Sequence, residues 1–266
     1  MNIITSGQNP VVKEIKALAN KKYREEKKLY FIEGIRFIEE AFKENAHIEK
    51  ILISEKLASN KGGEEVLAKI NASGCNTYML NEKLFKEISE TENPQGVLAV
   101  LKTKQYSFSN IIRENNFLLI LESIQDPGNM GTIIRTADAA GVTGIVMSKG
   151  CVDIYNPKVL RSTMGSIFRV PIYMSENLRE TIDSIKLRGM KVYAAHLKGR
   201  INYFEADLKG NTAVIIGNEA NGISDMAAGC SDELLKIPMF GTVESLNASV
   251  AASILMYEAV RQRIKN

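Results

Sequence analysis

Little in this sequence supports disulfide or metal chemistry. Cys75, Cys151 and Cys230 are its only cysteines, scattered and odd in number, with no C-x-x-C pair. They read as reduced thiols, not as a disulfide frame or a metal site. The two histidines, His47 and His196, lie far apart and offer no H-E-x-x-H spacing, so a metal-dependent mechanism is disfavoured and no metal ligand is assigned. Long apolar runs are missing too: nothing approaches the ~20 residues of a membrane-spanning helix. The opening MNIITSGQNPVVKEIK lacks the basic-then-apolar order of a secretory signal. These absences lead us to expect a cytoplasmic protein with no membrane partner. An excess of one charge sign is also lacking. Lys and Arg number 34 against 31 Asp and Glu, and a net +3 is too small to diagnose nucleic-acid binding by itself. There is no G-x-G-x-x-G after the first strand of the second half and no G-x-x-x-x-G-K-[ST] anywhere, which disfavours a dinucleotide or triphosphate enzyme.

What is present is a soluble, globular composition. Of 266 residues 45% are hydrophobic and 24% charged, enough chain for one large domain or two ordinary ones. The charge distribution says more than its sum. Between Lys13 and Lys28 seven basic residues (Lys13, Lys16, Lys21, Lys22, Arg24, Lys27, Lys28) stand against three acidic ones, with Tyr23 and Tyr30 interleaved. Such a stripe suits phosphate contacts and base stacking, and it equally suits a solvated helix face supported by Glu–Lys pairs.

Helical and extended patterns alternate through the first hundred residues. Pro10 sits where a first helical residue belongs, ahead of an apolar face over Val11 to Ala19. Glu33 to Glu44 reads as an amphipathic helix with Ile35, Ile38 and Phe42 along one side. Strands are expected at Tyr30–Ile32, Ile48–Ile53, Thr77–Leu80 and Gly96–Lys102, with a helix over Glu64–Ile70. The polar stretch Thr103 to Asn116 marks a boundary. We expect a first domain over 1–104, a linker with a short helix over 105–116, and a second domain over 117–266.

The second domain opens with FLLIL at Phe117 to Leu121, the text of a strand buried on both faces. A helix from Asp126-Pro127 to Gly141 and a strand at Gly144–Met147 complete a β-α-β unit. Further buried strands are expected at Lys191–His196 and Ala213–Ile216, and the second delivers Gly217 to Glu219 at its carboxyl end, where open α/β sheets bind ligands. Gly217 and Gly222 bracket a turn whose backbone can approach a ligand closely. A short strand through Leu234, Leu235 and Ile237 breaks at Pro238 and leads to a long helix. Leu246, Val250, Ile254, Tyr257, Val260 and Ile264 recur at spacings of three and four and predict its buried face. Loops so low in charge suit a flat adenine and a sulfonium better than a polyphosphate. Taken singly, Ser245 and Asn247 read as helix caps, Asn129 as a turn residue, Glu219 as solvated, and Arg135 as an i,i+3 partner of Asp138.

Three phrases change that balance. ESIQDPGNMGTIIRTADAAG at Glu122 to Gly141, VIIGNEANGIS at Val214 to Ser224, and IPMFGTVESLN at Ile237 to Asn247 occur in order. Together they resemble the three motifs of the SpoU (TrmH-like) branch of the SPOUT RNA methyltransferases. The front text, ITSGQNPVVKEIKAL and FIEGIRFIEEA, is similar to the small α/β substrate-binding domain that often precedes them, a relative of kink-turn-binding ribosomal proteins. The resemblance implies a mostly parallel sheet flanked by helices and closed by a trefoil knot, with S-adenosylmethionine (AdoMet) as cofactor. It implies methyl transfer to an RNA ribose 2′-hydroxyl, ribosomal RNA being favoured over tRNA or a thiostrepton-resistance-type target. A non-catalytic RNA-binding assembly factor is the reading from another class. Carried over by position, Asn129, Arg135, Glu219, Ser245 and Asn247 are the catalytic set. Gly217, Glu219, Gly222, Ile237, Met239, Leu246 and Ala248 would contact the cofactor. Lys21, Lys22, Arg24, Lys27, Arg36 and Arg135 would contact RNA, and the second domain would form a homodimer.

Overall fold

The computed structural model describes residues 3–264; Met1, Asn2, Lys265 and Asn266, which the expected domains include, lie outside the described residues. The chain divides into two units. One holds everything up to Lys104 together with Tyr155–Phe168, and the other holds Gln105–Ile154 and the chain from Arg169 onward.

Among the described residues the first unit carries a five-stranded mixed sheet ordered β1-β4-β3-β5-β2. Its strands are β1 (Ile3–Ile4), β2 (Leu29–Glu33), β3 (Ile48–Ser54), β4 (Thr77–Leu80) and β5 (Val97–Lys102). The helices are α1 (Pro10–Leu18), α2 (Lys21–Lys27), α3 (Ile35–Lys43), α4 (Gly63–Ser73) and α5 (Glu82–Ile88). Pro10 occupies the first turn of α1, and the Asn9 side chain caps it by accepting from Val11 N–H. Val12, Ile15 and Leu18 of α1 pack with Leu84, Phe85 and Ile88 of α5 over Phe31, Leu98 and Val100 of the sheet. Glu33, read as the start of a helix, ends β2 instead, because Gly34 with φ 104° turns the chain before α3 can begin. Phe42 is only half-buried; Ala41 is the residue that α3 buries beside Ile38.

The second unit starts with α6 (Phe108–Ile111), inside the segment expected to be a linker. Part of it reaches the core, with Phe108 and Ile112 packed against the buried cluster that holds Ile111. Ile111 is fully buried, and a Cβ at Gly144 would lie 2.6 Å from its Cβ, so the glycine makes room for it. From there the chain forms β6 (Phe117–Leu121), α7 (Pro127–Ala139) and β7 (Gly144–Met147). It then makes the excursion that belongs to the first unit, with α8 (Pro157–Thr163) and a 3₁₀ turn at Ser166–Phe168. There Tyr155 stacks on Tyr30 with ring centroids 4.4 Å apart, and its hydroxyl bonds both the N–H and the carbonyl of Lys104 at 3.1 Å. Returning, the chain forms β8 (Ile172–Met174), α9 (Leu178–Lys186), β9 (Lys191–Ala195), β10 (Ile201–Asn202), β11 (Thr212–Ile216), α10 (Asp225–Cys230), β12 (Glu233–Lys236) and α11 (Ala248–Arg263).

The seven strands of this unit are ordered β10-β12-β9-β11-β6-β7-β8, and every pair is parallel. β11, the central strand, and its neighbour β6 are buried along their whole length, as their apolar text leads one to expect. The strand order reverses between them, since β7 and β8 extend one way from β6 while β9 lies beyond β11. Loops at the carboxyl ends of β6 and β11 therefore face each other across a switch point.

One sequence expectation fails on α11. Val250, Tyr257 and Ile264 are 46%, 51% and 63% exposed, whereas Ala252, Leu255, Met256 and Ala259 form the buried face. Apolar residues run right round this helix, so spacings of three and four can be read on either side, and the tighter Ala-rich face is the one that α7 and β11 accept.

Candidate active site

The switch point is built from the residues up. Asp126 caps α7 by accepting the Asn129 N–H at 2.7 Å, and Pro127 supplies the fixed φ of a first helical residue. This sets Asn129 in the first turn, 8% exposed, facing β11. Its Nδ2 donates to Glu219 Oε1 at 2.6 Å, and its Oδ1 accepts from Asn247 Nδ2 at 2.9 Å. Asn247 in turn caps α11: its Oδ1 accepts from the Ser249 and Val250 N–H groups at 2.9 and 3.3 Å. The polarity of this chain is forced. An ionised carboxylate only accepts and helix N–H groups only donate, so both amides can point just one way. Asn129 thus joins all three phrases picked out in the sequence.

The loop after β11 is held by its own backbone. Asn218 and Gly222 exchange N–H to carbonyl bonds of 2.9 Å in both directions. Gly222 has φ 67°, in the left-handed region that glycine tolerates without cost. A Cβ at Gly217 would run into the Gly222 carbonyl, so only glycine closes this turn. Asn218 Oδ1 accepts from the Ala220 and Asn221 N–H groups, and its Nδ2 donates to the Ser123 carbonyl at 2.9 Å.

A cavity of about 400 Å³ opens beside this loop, within the size range of small-molecule sites. Every residue expected at the cofactor lines it: Gly217, Glu219, Gly222, Ile237, Met239, Leu246 and Ala248, joined by Ser245. The carboxyl end of β9 adds Ala195, His196, Leu197 and Lys198, which sequence reasoning missed. The sequence does carry a signal for them, because Lys191–His196 reads as a buried strand and its carboxyl end is where such sheets bind ligands. The wall combines glycine-rich backbone and apolar side chains, which suit a flat nucleoside, with Lys198, Glu219 and Glu244, and a single lysine is no cluster of cations for a polyphosphate. Among the described residues no group of three His, Cys, Asp or Glu side chains could hold a metal ion. Cys151, in the loop after β7, has its Sγ 3.4 Å from the Leu121 carbonyl at the end of β6, and burial raises the pKa of its thiol, away from the reactive thiolate form.

Arg135 stands apart from this network. It lies six residues after Asn129, about 240° around α7, and is exposed. No hydrogen bond or ion pair joins its guanidinium to another of the described residues. Asp138, the i,i+3 partner that local spacing suggests, pairs with Arg169 Nε at 2.8 Å. In the first unit Lys21, Lys22, Lys27 and Arg36 are exposed, with Lys21 near Glu25 at 3.7 Å and Lys27 near Glu26 at 3.1 Å. Arg24 must leave the RNA-binding set. It is 4% exposed, and its Nη1 donates to the Leu18 and Ala19 carbonyls at 2.7 and 2.8 Å. It closes the end of α1, where free carbonyls need donors, and has no reach to a phosphate.

An all-parallel sheet with three loops knitted at its switch point around a nucleoside-sized cavity, preceded by a separate mixed-sheet unit, is the build of an RNA methyltransferase. The chain belongs to the SpoU rRNA methylase family, whose profile matches residues 116–257, and the MRM3-like substrate binding domain matches residues 9–99. It is 36% identical over 257 residues to the 23S rRNA (guanosine(2553)-2′-O)-methyltransferase RlmP of Bacillus subtilis (strain 168), covering 97% of this chain and 98% of that one. It is 31% identical over 246 residues to the 23S rRNA (guanosine-2′-O-)-methyltransferase RlmB of Shewanella oneidensis, covering 89% and 99%. The crystal structure of an AdoMet-bound rRNA methyltransferase from Sinorhizobium meliloti superposes with a TM-score of 0.89 at 33% identity, covering 99% of each chain.

Proposed function

We propose that this protein methylates the ribose 2′-hydroxyl of a guanosine in 23S rRNA with AdoMet as donor. The observation that carries the reading is the Asn129–Glu219–Asn247 chain, which locks the three family loops around one cavity. The two curated relatives described above both act on a 23S rRNA guanosine, which supports that choice of substrate over tRNA. Gly217, Gly222, Ile237, Met239, Leu246 and Ala248 would hold the adenosyl and methionyl parts against backbone and apolar surface. Bound there, AdoMet supplies a methyl group already activated by its sulfonium.

The protein's own task is alignment and charge. Asn129 and Asn247 orient Glu219 and the mouth of the loop, and Ser245 stands at the rim to position the ribose. Arg135, exposed and with no hydrogen bond or ion pair among the described residues, would be available to an arriving RNA. Its guanidinium would stabilise the negative charge growing on the attacking ribose oxygen and hold the adjacent phosphate. A group that is always protonated suits stabilisation better than proton abstraction. In the first unit Lys21, Lys22, Lys27 and Arg36 would add phosphate contacts.

Exposed apolar residues, Val250 and Tyr257 on α11 and Ile264 just past its end, support a homodimer through the second unit; Tyr257→Glu should yield a monomer by light scattering, and an unchanged mass would count against this. The family also implies that the chain beyond β12 threads a trefoil knot, which an experimental structure would trace directly. A cytoplasmic setting agrees with an rRNA substrate and with three free thiols.

The test is methyl transfer from tritiated AdoMet to 23S rRNA in the presence of a chelator, followed by ribose-methylation mapping. Label in a guanosine 2′-O-methyl group is expected. Label on a base, loss of activity with the chelator, or no transfer at all would overturn the proposal.

A further inference from the structure

Glu122 is the first residue past β6, outside the residues assigned above, and the residue is 9% exposed. Burying a carboxylate is costly unless its oxygens are well bonded, and no Lys or Arg pairs with this one among the described residues. Its bonds go to a single residue across the switch point. Oε2 accepts the Ser224 N–H at 2.8 Å, and Oε1 accepts the Ser224 hydroxyl at 2.7 Å. Ser224 Oγ then accepts the Ala227 N–H at 3.1 Å, which caps α10. At the other end of the same loop, the Glu122 N–H donates to the Ile216 carbonyl at 2.9 Å.

One residue therefore grips both ends of the 217–223 loop, the loop that lines the cavity and carries Glu219. Its neighbour reinforces the grip. Ser123 takes φ 56°, an uncommon backbone state for a residue with a side chain. That conformation is held by its N–H donating to Ser148 Oγ at 3.0 Å and its carbonyl accepting from Asn218 Nδ2 at 2.9 Å. The carboxylate touches nothing in the cavity itself. Its geometry is that of a brace.

We infer that Glu122 is a positioning residue for AdoMet: through Ser224 it sets the 217–223 loop in its cofactor-binding shape. The inference rests on the methyltransferase reading above. Glu122→Ala leaves the backbone bond to Ile216 in place and frees only the Ser224 end, so the loop relaxes while the sheet persists. Glu122→Gln keeps both contacts, its Oε1 accepting the Ser224 N–H and its amide donating to Oγ. Ser224→Ala retains the backbone N–H and loses the hydroxyl bonds.

The experiment measures AdoMet affinity by calorimetry on the full chain, the AdoMet dependence of methyl transfer at saturating RNA, RNA affinity, and thermal midpoints. Glu122→Ala should weaken AdoMet about 10- to 100-fold, the loss expected when charge-assisted hydrogen bonds are removed, and raise KM for AdoMet by the same factor. At saturating AdoMet kcat should largely recover, and RNA affinity should not change. Ser224→Ala should fall between, and Glu122→Gln should bind nearly as the native protein does. A role confined to stability predicts instead a lower thermal midpoint with unaltered AdoMet affinity well below it, and that result overturns the inference. If Glu122→Ala does not fold, a graded loss in Ser224→Ala with recovery in Glu122→Gln supports the inference, and native affinity in Ser224→Ala overturns it. If the native protein itself fails to bind AdoMet, the methyltransferase reading falls, and this inference with it. If the native protein binds and Glu122→Ala binds equally well, only the inference falls.

Discussion

Asn129 has one side-chain amide, and both of its ends are engaged by residues 90 and 118 positions away in the chain. Local sequence makes Asn129 a helix-start residue and nothing more. The motif resemblance marks it as important, but the bonds themselves arise only because β6 and β11 lie side by side. Arg135 is the opposite case, a long charged side chain whose meaning lies in what it leaves unpaired. Arg135→Ala should cut single-turnover methylation at saturating RNA by about 100-fold or more, the scale seen when a charge-stabilising donor is deleted. AdoMet affinity should hold, since Arg135 does not line the cavity. Arg135→Lys should remain poor, because a compact ammonium cannot hold a phosphate and a ribose oxygen in one planar fork. A rate within a few-fold of the native one would remove Arg135 from the catalytic set.

At the scale of elements, the strands were the most legible part of the sequence and α11 the least. FLLIL and TAVII read as doubly buried strands, whereas short pieces such as β10 or the Ala/Gly-rich α10 carry too little periodicity to be seen. For α11 the pattern existed on more than one face, and only packing against α7 chose between them. The last turns of this helix also hold a charge cluster that sequence spacing hints at. Glu258, 8% exposed, accepts from Arg261 Nε and Nη2 at 2.8 and 2.7 Å and from Gln262 at 2.7 Å. These bonds, Arg261 foremost, hold its carboxyl below the ordinary value of 4.5. A group depressed in the folded state stabilises fully above its unfolded value and loses that contribution as pH falls through the folded one. The thermal midpoint of the native protein should therefore exceed that of Glu258→Gln at neutral pH, with the gap shrinking as pH drops below about 4.5. A gap constant from pH 7 to pH 3 would show that the ion pair does not carry the difference.

For the whole molecule, the decisive feature is that the first unit is not a continuous stretch of chain. It takes Tyr155–Phe168 back from the middle of the second, and Val159, Leu160 and Ile167 are buried with it. Deleting everything before Gln105 should therefore not give a tidy catalytic fragment. Each of those side chains stripped of its partners costs about 1.5–3 kcal/mol, so the fragment should aggregate or melt well below the full chain. Replacing 155–168 by a short Gly/Ser link in the same fragment should restore solubility and AdoMet binding. Equal behaviour of the two fragments in thermal melts would refute this account. The same feature sets a clock on synthesis. At about 5–20 residues per second, the first unit waits several seconds after its own sheet has emerged before the piece that completes it appears. By then β6, α7 and β7 are already out, so the first unit is completed only after part of the second has been made.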